Sequence, residues 1–198
     1  MPSESYHHGD LPTALVAEAA AMIAEGGVES VTMREIGRRL GVSRAAPYRH
    51  FPDKASLLVA VARTGFARLR ERLDAVQAGT PSPDLDRFGA LGEVYVRFAL
   101  ENPAHYRLMY GREALTRQDV PELRLAANAL FEELVVLCEA YQAAGSIAAR
   151  DPRRQAYVAW GAVHGLASLL TDGQILAEVD VDALIDEMTR TLLEGMRS

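Results

Sequence analysis

The chain has 198 residues, of which 49% are apolar, and this composition is that of a folded globular protein and excludes wholesale disorder. It carries 21 basic against 27 acidic residues, a formal net charge of −6, and its one cysteine, Cys138, excludes a disulfide framework and a cysteine-rich zinc site. No segment has the roughly 20 apolar residues of a membrane span, and the first residues lack a signal-peptide pattern, so we expect a cytoplasmic protein without a membrane partner.

Apolar residues recur at helical spacing along nearly the whole chain, and no segment shows the two-residue alternation of a β-strand. The pattern therefore predicts an all-α fold of about nine helices. The first helix starts near Leu11 and stops at the glycine pair 26–27. The second follows Thr32, which together with Glu35 matches an N-terminal capping box, and it ends at Gly41.

A third, short helix is predicted over Arg44 to His50, with Ser43 as its N-cap. A long fourth helix follows, from Lys54 to about Val76. The stretch 79–83 is rich in Gly, Pro, Ser and Thr and predicts a linker. Five more helices are predicted, at about 84–101, 103–111, 120–145, 151–172 and 180–197.

Charge is distributed unevenly along the chain. Residues 1–75 carry 10 basic and 9 acidic groups, whereas residues 76–198 carry 11 basic and 18 acidic groups. Within the first part, residues 30–54 hold six cations against two carboxylates. This asymmetry indicates a basic segment suited to DNA on an otherwise acidic body. The six cations are Arg34, Arg38, Arg39, Arg44, Arg49 and Lys54.

Two short helices joined by Gly41-Val42-Ser43 have the spacing of a helix-turn-helix, in which the second helix enters the DNA major groove. The turn favours Gly41 because a side chain resists positive φ. Similar turns are common in all-α proteins. Spacing and charge alone therefore leave DNA binding and a purely structural role equally open.

The segment from Thr32 to Lys54, with Gly41-Val42-Ser43 and Tyr48-Arg49-His50-Phe51, closely resembles the TetR (tetracycline-repressor) family, as does the opening Tyr6-His7-His8-Gly9-Asp10-Leu11. The resemblance covers residues 6–70 and implies a DNA-binding domain there. It implies a helical domain for ligand binding and dimerisation over residues 80–198. In that part, residues 101–110 and 160–165 are similar to a subgroup with a Trp-His-Gly signature.

The resemblance implies a ligand-responsive transcriptional repressor that binds a palindromic operator as a homodimer and is released by a small-molecule effector. Tyr48, His50 and Lys54 would hold phosphates, and Thr32 would cap its helix beside one. Arg44 would read a base, since arginine is the side chain best suited to guanine. The complete implied DNA-binding set is Thr32, Ser43, Arg44, Ala45, Ala46, Tyr48, Arg49, His50 and Lys54.

Two residues depart from the family pattern. Gly37 stands where alanine is usual, which weakens the second helix slightly. Pro47 stands where an aliphatic residue is usual, and it restricts the residue before it. We therefore expect the recognition helix to start late or to be short.

The resemblance also implies an effector pocket among the middle helices and a dimer interface on the last two helices. Aromatic and Met residues at helical spacing are more often plain core, and His164 also fits a hydrogen-bonded core histidine. The apolar stripes expected at the interface are Tyr157, Trp160, His164, Ala167 and Leu170, then Val181, Leu184, Met188 and Leu192. The pocket candidates are Phe98, Tyr106, Met109, Tyr110, Phe131, Trp160 and His164.

Two other classes of protein are alternatives to a regulator. The sequence has no serine-nucleophile elbow, no zinc-binding His pair on a helix and no phosphate-binding glycine loop, so an enzyme, a metal site or a cofactor is not expected. The remaining alternative is a ligand- or protein-binding module that retains the helix-turn-helix only as a scaffold.

Overall fold

The computed structural model describes residues 11–78, 84–110, 120–175 and 179–197, and all its regular elements in these ranges are helical. The predicted all-α class is confirmed. The predicted linker at 79–83 and the motif at residues 6–10 lie outside the described residues. The α-helices are α1 (Leu11–Gly26), α2 (Met33–Arg39), α3 (Lys54–Ala78), α4 (Leu85–Glu101), α5 (Pro103–Tyr110), α6 (Pro121–Ala143), α7 (Pro152–Thr171) and α8 (Val181–Met196).

The predicted third helix over Arg44 to His50 is wrong as an α-helix. Residues 44–46 form a turn, and only a single 3-10 turn follows, at Pro47–Arg49. Pro47 has no N–H group, so the Ser43 carbonyl cannot accept the hydrogen bond that an α-helix would place there. The expectation of a short recognition element is met, and it accounts for the difference from nine α-helices.

The chain forms two compact units, and each unit is built from two separate segments of the sequence. The first comprises the described residues up to Gly65, together with 104–110 and 120–123; the second comprises the rest. Segment 104–110 belongs to the first unit because α5 packs on α3 at Gly65, where an added β-carbon would lie 2.5 Å from Met109 Sδ. The predicted domains, 6–70 and 80–198, are continuous in sequence, whereas these units are not.

In the first unit, α1 and α2 pack together over a core of completely buried side chains. The apolar spacing seen in the sequence accounts for it, since each helix turns one stripe inward. This core holds α2, and with it the turn that follows, in a fixed position. The largest of these side chains on α1, α2 and α3 are Leu15, Met22, Ile23, Ile36 and Leu57.

In the second unit, α4 packs against both α7 and α8. Two glycines of α4 permit this close approach: a β-carbon at Gly89 would lie 2.9 Å from Thr189, and one at Gly92 would lie 3.2 Å from Val163. Cys138 is completely buried in the core of this unit, and burial raises the pKa of its thiol to about 11. The thiol is therefore protonated and inert at neutral pH. None of the described helices is both long and apolar enough to cross a bilayer.

Candidate functional site

The turn after α2 closes with two hydrogen bonds. The N–H of Gly41 donates to the Arg38 carbonyl at 3.2 Å, and the N–H of Val42 donates to the Gly37 carbonyl at 2.9 Å. Gly41 has φ of +65°, the left-handed conformation that this helix ending requires. The predicted helix stop at Gly41 is confirmed. This ending reverses the chain sharply and directs residues 43–50 away from α2.

The recognition segment, residues 43–50, is held by hydrogen bonds three residues apart. Ala46 donates to the Ser43 carbonyl at 3.0 Å, and Arg49 donates to the Ala46 carbonyl at 3.2 Å. The predicted N-cap role of Ser43 is wrong, because the 3-10 turn begins after Ala46, which makes no side-chain cap bond. The Ser43 side chain is exposed instead.

The two departures from the family pattern are in contact with each other. Pro47 is buried, and a β-carbon at Gly37 would lie 3.4 Å from its ring. A β-carbon at position 37 would therefore touch the proline ring at about van der Waals distance. Pro47 is buried in the 3-10 turn that packs on α2, so it anchors the recognition segment there.

The helices on either side of the recognition segment begin at capped N-termini. Thr32 accepts a hydrogen bond from the N–H of Glu35 at 3.2 Å, as the capping-box pattern predicts. Asp53 accepts from the N–H of Ser56 at 2.7 Å at the start of α3, which places Lys54 in its first turn. These helix N-termini carry partial positive charge that favours anions such as phosphate.

The side chains of the recognition segment are largely open to solvent. Tyr48 is 53% exposed, so its ring and hydroxyl are accessible from solvent. Ala46 is half-buried and Pro47 is buried. The remaining candidates of this segment, Ser43, Arg44, Ala45, Arg49 and His50, are all exposed.

Two of the six cations counted in the sequence are neutralised by carboxylates. Arg39 donates to Glu18 at 3.2 Å, to Glu25 at 2.8 Å and to Glu35 at 3.3 Å, which ties α2 to α1. Arg38 donates to both oxygens of Glu35, at 2.8 and 2.6 Å. These hydrogen bonds, of which those from Arg38 contribute most, hold the pKa of Glu35 at about 2, below its ordinary value of 4.5. The carboxylate therefore stays charged, and the network loses its contribution to stability only as the pH falls from 4.5 toward 2.

The other four cations are engaged weakly or not at all by carboxylates of the described part of the chain. Within the described part of the chain, no carboxylate lies within 4.0 Å of the guanidinium of Arg34, Arg44 or Arg49. Lys54 Nζ lies 3.9 Å from Glu29, whose side chain is 96% exposed, so this pairing is loose. The local positive charge inferred from the sequence therefore resides on these four side chains.

Arg34 was not among the candidates drawn from the sequence. It is exposed in the first turn of α2, where the helix dipole disfavours a cation. The sequence does contain a signal for Arg34. Arg38 and Arg39 stand three and four residues after Glu35, the helical spacing for an ion pair, whereas Arg34 is next to Glu35 in sequence and does not face it.

Residues 15–61 match the family model described as bacterial regulatory proteins, tetR family. Residues 88–192, more than half of the chain, match the model described as tetracyclin repressor-like, C-terminal domain. The chain belongs to the tetR family. It is 35% identical over 136 residues to the HTH-type transcriptional regulator BetI of Rhizobium meliloti (strain 1021), an alignment covering 64% of this chain and 66% of BetI, just under two thirds of that relative.

Solved structures share the fold of this tetR-family protein over nearly its whole length. A protein of unknown function from Rhodococcus sp. RHA1 has a TM-score of 0.81 and 32% identity, covering 99% of this chain and all of that one. A transcriptional regulator of the TetR/AcrR family from Thermobifida fusca has a TM-score of 0.76 and 25% identity, covering 96% of this chain and all of that one.

The pocket candidates of this tetR-family protein fall into two groups. Tyr106, Met109 and Tyr110 lie on α5 in the first compact unit, whereas Phe98, Phe131, Trp160 and His164 lie in the second. Phe98 and Met109 are 0% exposed and so face no open space in this conformation. The pocket role of all seven stays a prediction.

A polar cluster on α4 and α7 includes two of these candidates, Trp160 and His164, together with Tyr95. The Tyr95 hydroxyl accepts from Trp160 Nε1 at 3.3 Å and is hydrogen-bonded to His164 Nδ1 at 3.0 Å. The ring of Phe131, on α6, lies 6.0 Å from that of Trp160. Tyr95 is buried at helical spacing with Phe88, Leu91 and Phe98, so the sequence alone did not distinguish it from core.

The last two helices present a different outward face from the one expected on α7. Ala167 is 0% exposed, and Trp160 and His164 bond to Tyr95 of α4, so the predicted α7 stripe faces inward in part. Val158, 63% exposed, lies on the outward side. A groove of about 730 Å³ lies between α7 and α8, and the predicted α8 residues Leu184, Met188 and Leu192 line it together with Val158 and Ala162.

Proposed function

We propose that this protein is a transcriptional repressor that binds a palindromic DNA operator as a homodimer and is released by a small molecule bound to its C-terminal domain. The observation that supports DNA binding best is the set of arginines without a carboxylate partner on the helix-turn-helix. Arg34, Arg44 and Arg49 have no carboxylate partner in the described chain, while neighbouring Arg38 and Arg39 do. Acting on chromosomal DNA, such a regulator would lie in the cytoplasm.

In this proposal, the residues in and around the recognition segment bind the DNA phosphates. Lys54 and Arg34 occupy the first turns of α3 and α2, where cation and helix N-terminus act on the same phosphate. Thr32 accepts one hydrogen bond as a cap and retains its hydroxyl proton for a phosphate oxygen. Tyr48, His50 and the exposed hydroxyl of Ser43 add further hydrogen-bond donors.

In this proposal, side chains of the recognition segment itself contact the bases. Arg44 and Arg49 are its long exposed donors, and arginine pairs with O6 and N7 of guanine in the major groove. Ala45 and Ala46 offer only apolar contact, suited to a thymine methyl. Their small side chains also let the backbone approach the base edges closely.

Dimerisation through the last two helices is supported by the apolar groove between α7 and α8. Two recognition segments related by a two-fold axis read successive major grooves of a palindrome. The exposed Val158 and the groove residues Leu184 and Met188 would be covered in such a dimer. An uncovered apolar surface of this kind is typical of an interface.

The Tyr95–Trp160–His164 cluster supports an effector site in the second unit. A small group of polar atoms among aromatic rings is the usual way in which a pocket orients a ligand. A ligand shifts the protein toward release only through its different affinity for the two conformations. Changing the bound fraction from nearly all to nearly none requires about 5 kcal/mol of such difference.

The decisive experiment is a selection of genomic DNA fragments on the purified protein at low salt, followed by fluorescence anisotropy on the recovered sequence. We expect a palindromic site bound by a dimer, with an affinity that falls steeply as salt rises. A protein that retains no duplex at all, while remaining folded, would instead be the binding module that keeps the helix-turn-helix as a scaffold.

Lys54→Ala is expected to weaken binding to every duplex alike and to reduce the slope of log affinity against log salt by about one, because one phosphate contact is lost. The matched control is Arg63→Ala, since Arg63 lies on the same helix but pairs with Glu122 at 3.4 Å. Anisotropy titrations at four salt concentrations measure both slopes. An unchanged slope for Lys54→Ala would exclude the phosphate contact.

Arg34→Ala is expected to act in the same way, with uniform weakening across sequences and a slope smaller by about one. Arg38→Ala is the control on the same helix, because the Arg38 guanidinium is engaged by Glu35. If both variants lower the slope equally, pairing within the chain does not decide which arginines meet DNA. If Arg34→Ala alters the preferred sequence, Arg34 contacts a base.

A further inference from the structure

Arg39, the last residue of α2, is bound by three carboxylates at once. Its Nη1 donates to Glu18 at 3.2 Å, its Nη2 donates to Glu25 at 2.8 Å, and its Nε donates to Glu35 at 3.3 Å. Glu18 and Glu25 lie on α1, whereas Glu35 lies on α2. Each guanidinium nitrogen thus has its own partner, and the planar group fixes the direction of all three hydrogen bonds. The contact therefore determines how the end of α2 is placed against α1.

The neighbouring Arg38 makes a different kind of contact. It donates to Glu35, on its own helix, at 2.8 and 2.6 Å. Its side chain is 71% exposed, compared with 30% for Arg39. An exposed pair three residues apart stabilises its own helix slightly and does not orient that helix against another. The two adjacent arginines therefore differ in what they hold in place.

The recognition segment is attached to the same turn of α2 that Arg39 holds. The N–H groups of Gly41 and Val42 donate to carbonyls of the last turn of α2, at 3.2 and 2.9 Å. Buried Pro47 lies beside Gly37 in that turn. A displacement of the end of α2 relative to α1 would consequently move the recognition segment with it.

The apolar core beneath α2 fixes the end of this helix less strictly than Arg39 does. Its large buried side chains, Met33 and Ile36, belong to the first part of the helix, whereas Leu40, just after the last turn, is only half-buried. Apolar contacts are also non-directional, so they hold α2 on α1 without defining its exact orientation. The charged hydrogen bonds of Arg39 supply that direction.

The charge of Arg39 is engaged within the protein. Hydrogen bonds from Arg39 lower the pKa of Glu25, and hydrogen bonds from Arg38 first and then from Arg39 hold the pKa of Glu35 at about 2. Both carboxylates are therefore ionised at neutral pH and keep the guanidinium bound. An effect of Arg39 on DNA would then come from the position of α2, whereas Arg34 and Lys54 act through direct contact in the function proposed above.

We propose that Arg39 is a positioning residue for DNA reading: it joins Glu18 and Glu25 of α1 to the last turn of α2 and so sets the position from which the recognition segment meets the bases. The proposal rests on the DNA binding proposed above. It adds a residue on which discrimination between sequences depends although that residue contacts no base.

The first test is Arg39→Lys, which keeps the positive charge and loses the planar group that binds three carboxylates. We expect the ratio of affinities for the operator recovered by genomic selection and for an unrelated duplex of equal length to fall about fivefold or more, because a misplaced segment weakens its base contacts. The salt slope should stay the same, since no phosphate contact is lost. Arg38→Lys is the matched control and should leave the ratio unchanged. Anisotropy titrations measure both quantities, and circular dichroism at the titration temperature shows whether each variant is folded.

The second test removes the carboxylates one at a time, with Glu18→Gln and Glu25→Gln. Each change makes the protein less negative, so charge alone would tighten binding to both duplexes and leave their ratio unchanged. The positioning role predicts instead that the ratio falls, as it does for Arg39→Lys. Glu122→Gln is the control with the same change in charge, because Glu122 pairs with Arg63 of α3 at 3.4 Å and not with α2.

The outcomes separate this proposal from the one on which it rests. A folded wild-type chain that retains no duplex overturns DNA binding itself. A wild-type chain that discriminates the operator, with a ratio that persists in Arg39→Lys and in both glutamine variants, overturns the positioning role and leaves DNA binding in place. If Arg39→Lys is unfolded at the titration temperature, the glutamine variants decide, since each removes one partner and keeps the arginine.

Discussion

Phe98→Ala is expected to lower the free energy of unfolding by about 3–5 kcal/mol, the loss typical of a large aromatic residue removed from a packed core. Phe98 is 0% exposed on α4, and the guanidinium of Arg72 lies 5.6 Å from its ring centroid. The alanine would leave a cavity and remove the ring that Arg72 covers. Urea denaturation followed by circular dichroism measures the loss, with an unchanged denaturant slope indicating the same unfolded state.

Leu125→Ala serves as the control, because Leu125 is 66% exposed and its truncation is expected to change stability by less than about 0.5 kcal/mol. Phe98→Leu keeps most of the volume and provides a folded variant if the alanine does not fold. A pocket role for Phe98 would require Phe98→Leu to lose the effector response at full stability. A core role requires the response to persist.

Helix boundaries in this chain were predictable because their causes are local. Thr32 and Asp53 cap the N–H groups three residues ahead, and Gly41 ends α2 by a left-handed turn. Each of these signals needs only a few neighbouring residues. The sequence therefore predicted the starts of α2 and α3 and the position of the turn between α2 and the recognition segment.

The packing of the recognition segment involves two residues that are ten apart in the chain. The sequence predicted that Pro47 would disturb the helix. Its position beside Gly37 could not be predicted, because it arises only when α2 and the recognition segment are folded together. The sequence treated the two departures from the family pattern as separate weaknesses. In the structure the two residues are neighbours, and Pro47 begins a 3-10 turn in place of an α-helix.

Which arginines are available to DNA was predictable only in part. The pairing of Arg38 and Arg39 with Glu35 follows from helical spacing. The contacts of Arg39 with Glu18 and Glu25 join two helices and required the fold. A count of charges thus identified the basic segment but not the smaller set of arginines that lack a carboxylate.

The direction in which α7 faces could not be read from its apolar pattern. Trp160, His164 and Ala167 form a convincing stripe, yet they turn toward α4 and the core. Val158 and Gly161 are exposed on the outward face instead, and glycine contributes almost nothing to an apolar stripe. Only the packing of α4 on α7 distinguishes the two faces.

Arg44→Ala is expected to weaken operator binding by about 1–3 kcal/mol and to relax the preference at one base position. Arg44 is exposed in the turn that opens the recognition segment and has no carboxylate partner among the residues that the structure describes. Loss of a bidentate contact to guanine affects the operator more than unrelated DNA, because unrelated DNA is held by phosphates alone. Anisotropy titrations on the operator, on single-base variants and on an unrelated duplex measure the change.

The control is again Arg38→Ala, whose guanidinium is bound to Glu35 and should contribute little to either duplex. A base contact predicts that the ratio of operator to unrelated affinity falls with Arg44→Ala while the salt slope is nearly unchanged. Equal weakening on every duplex, with a slope smaller by about one, would instead make Arg44 a phosphate contact. In that case base reading would rest on Arg49, and Arg49→Ala would then show the sequence-dependent loss.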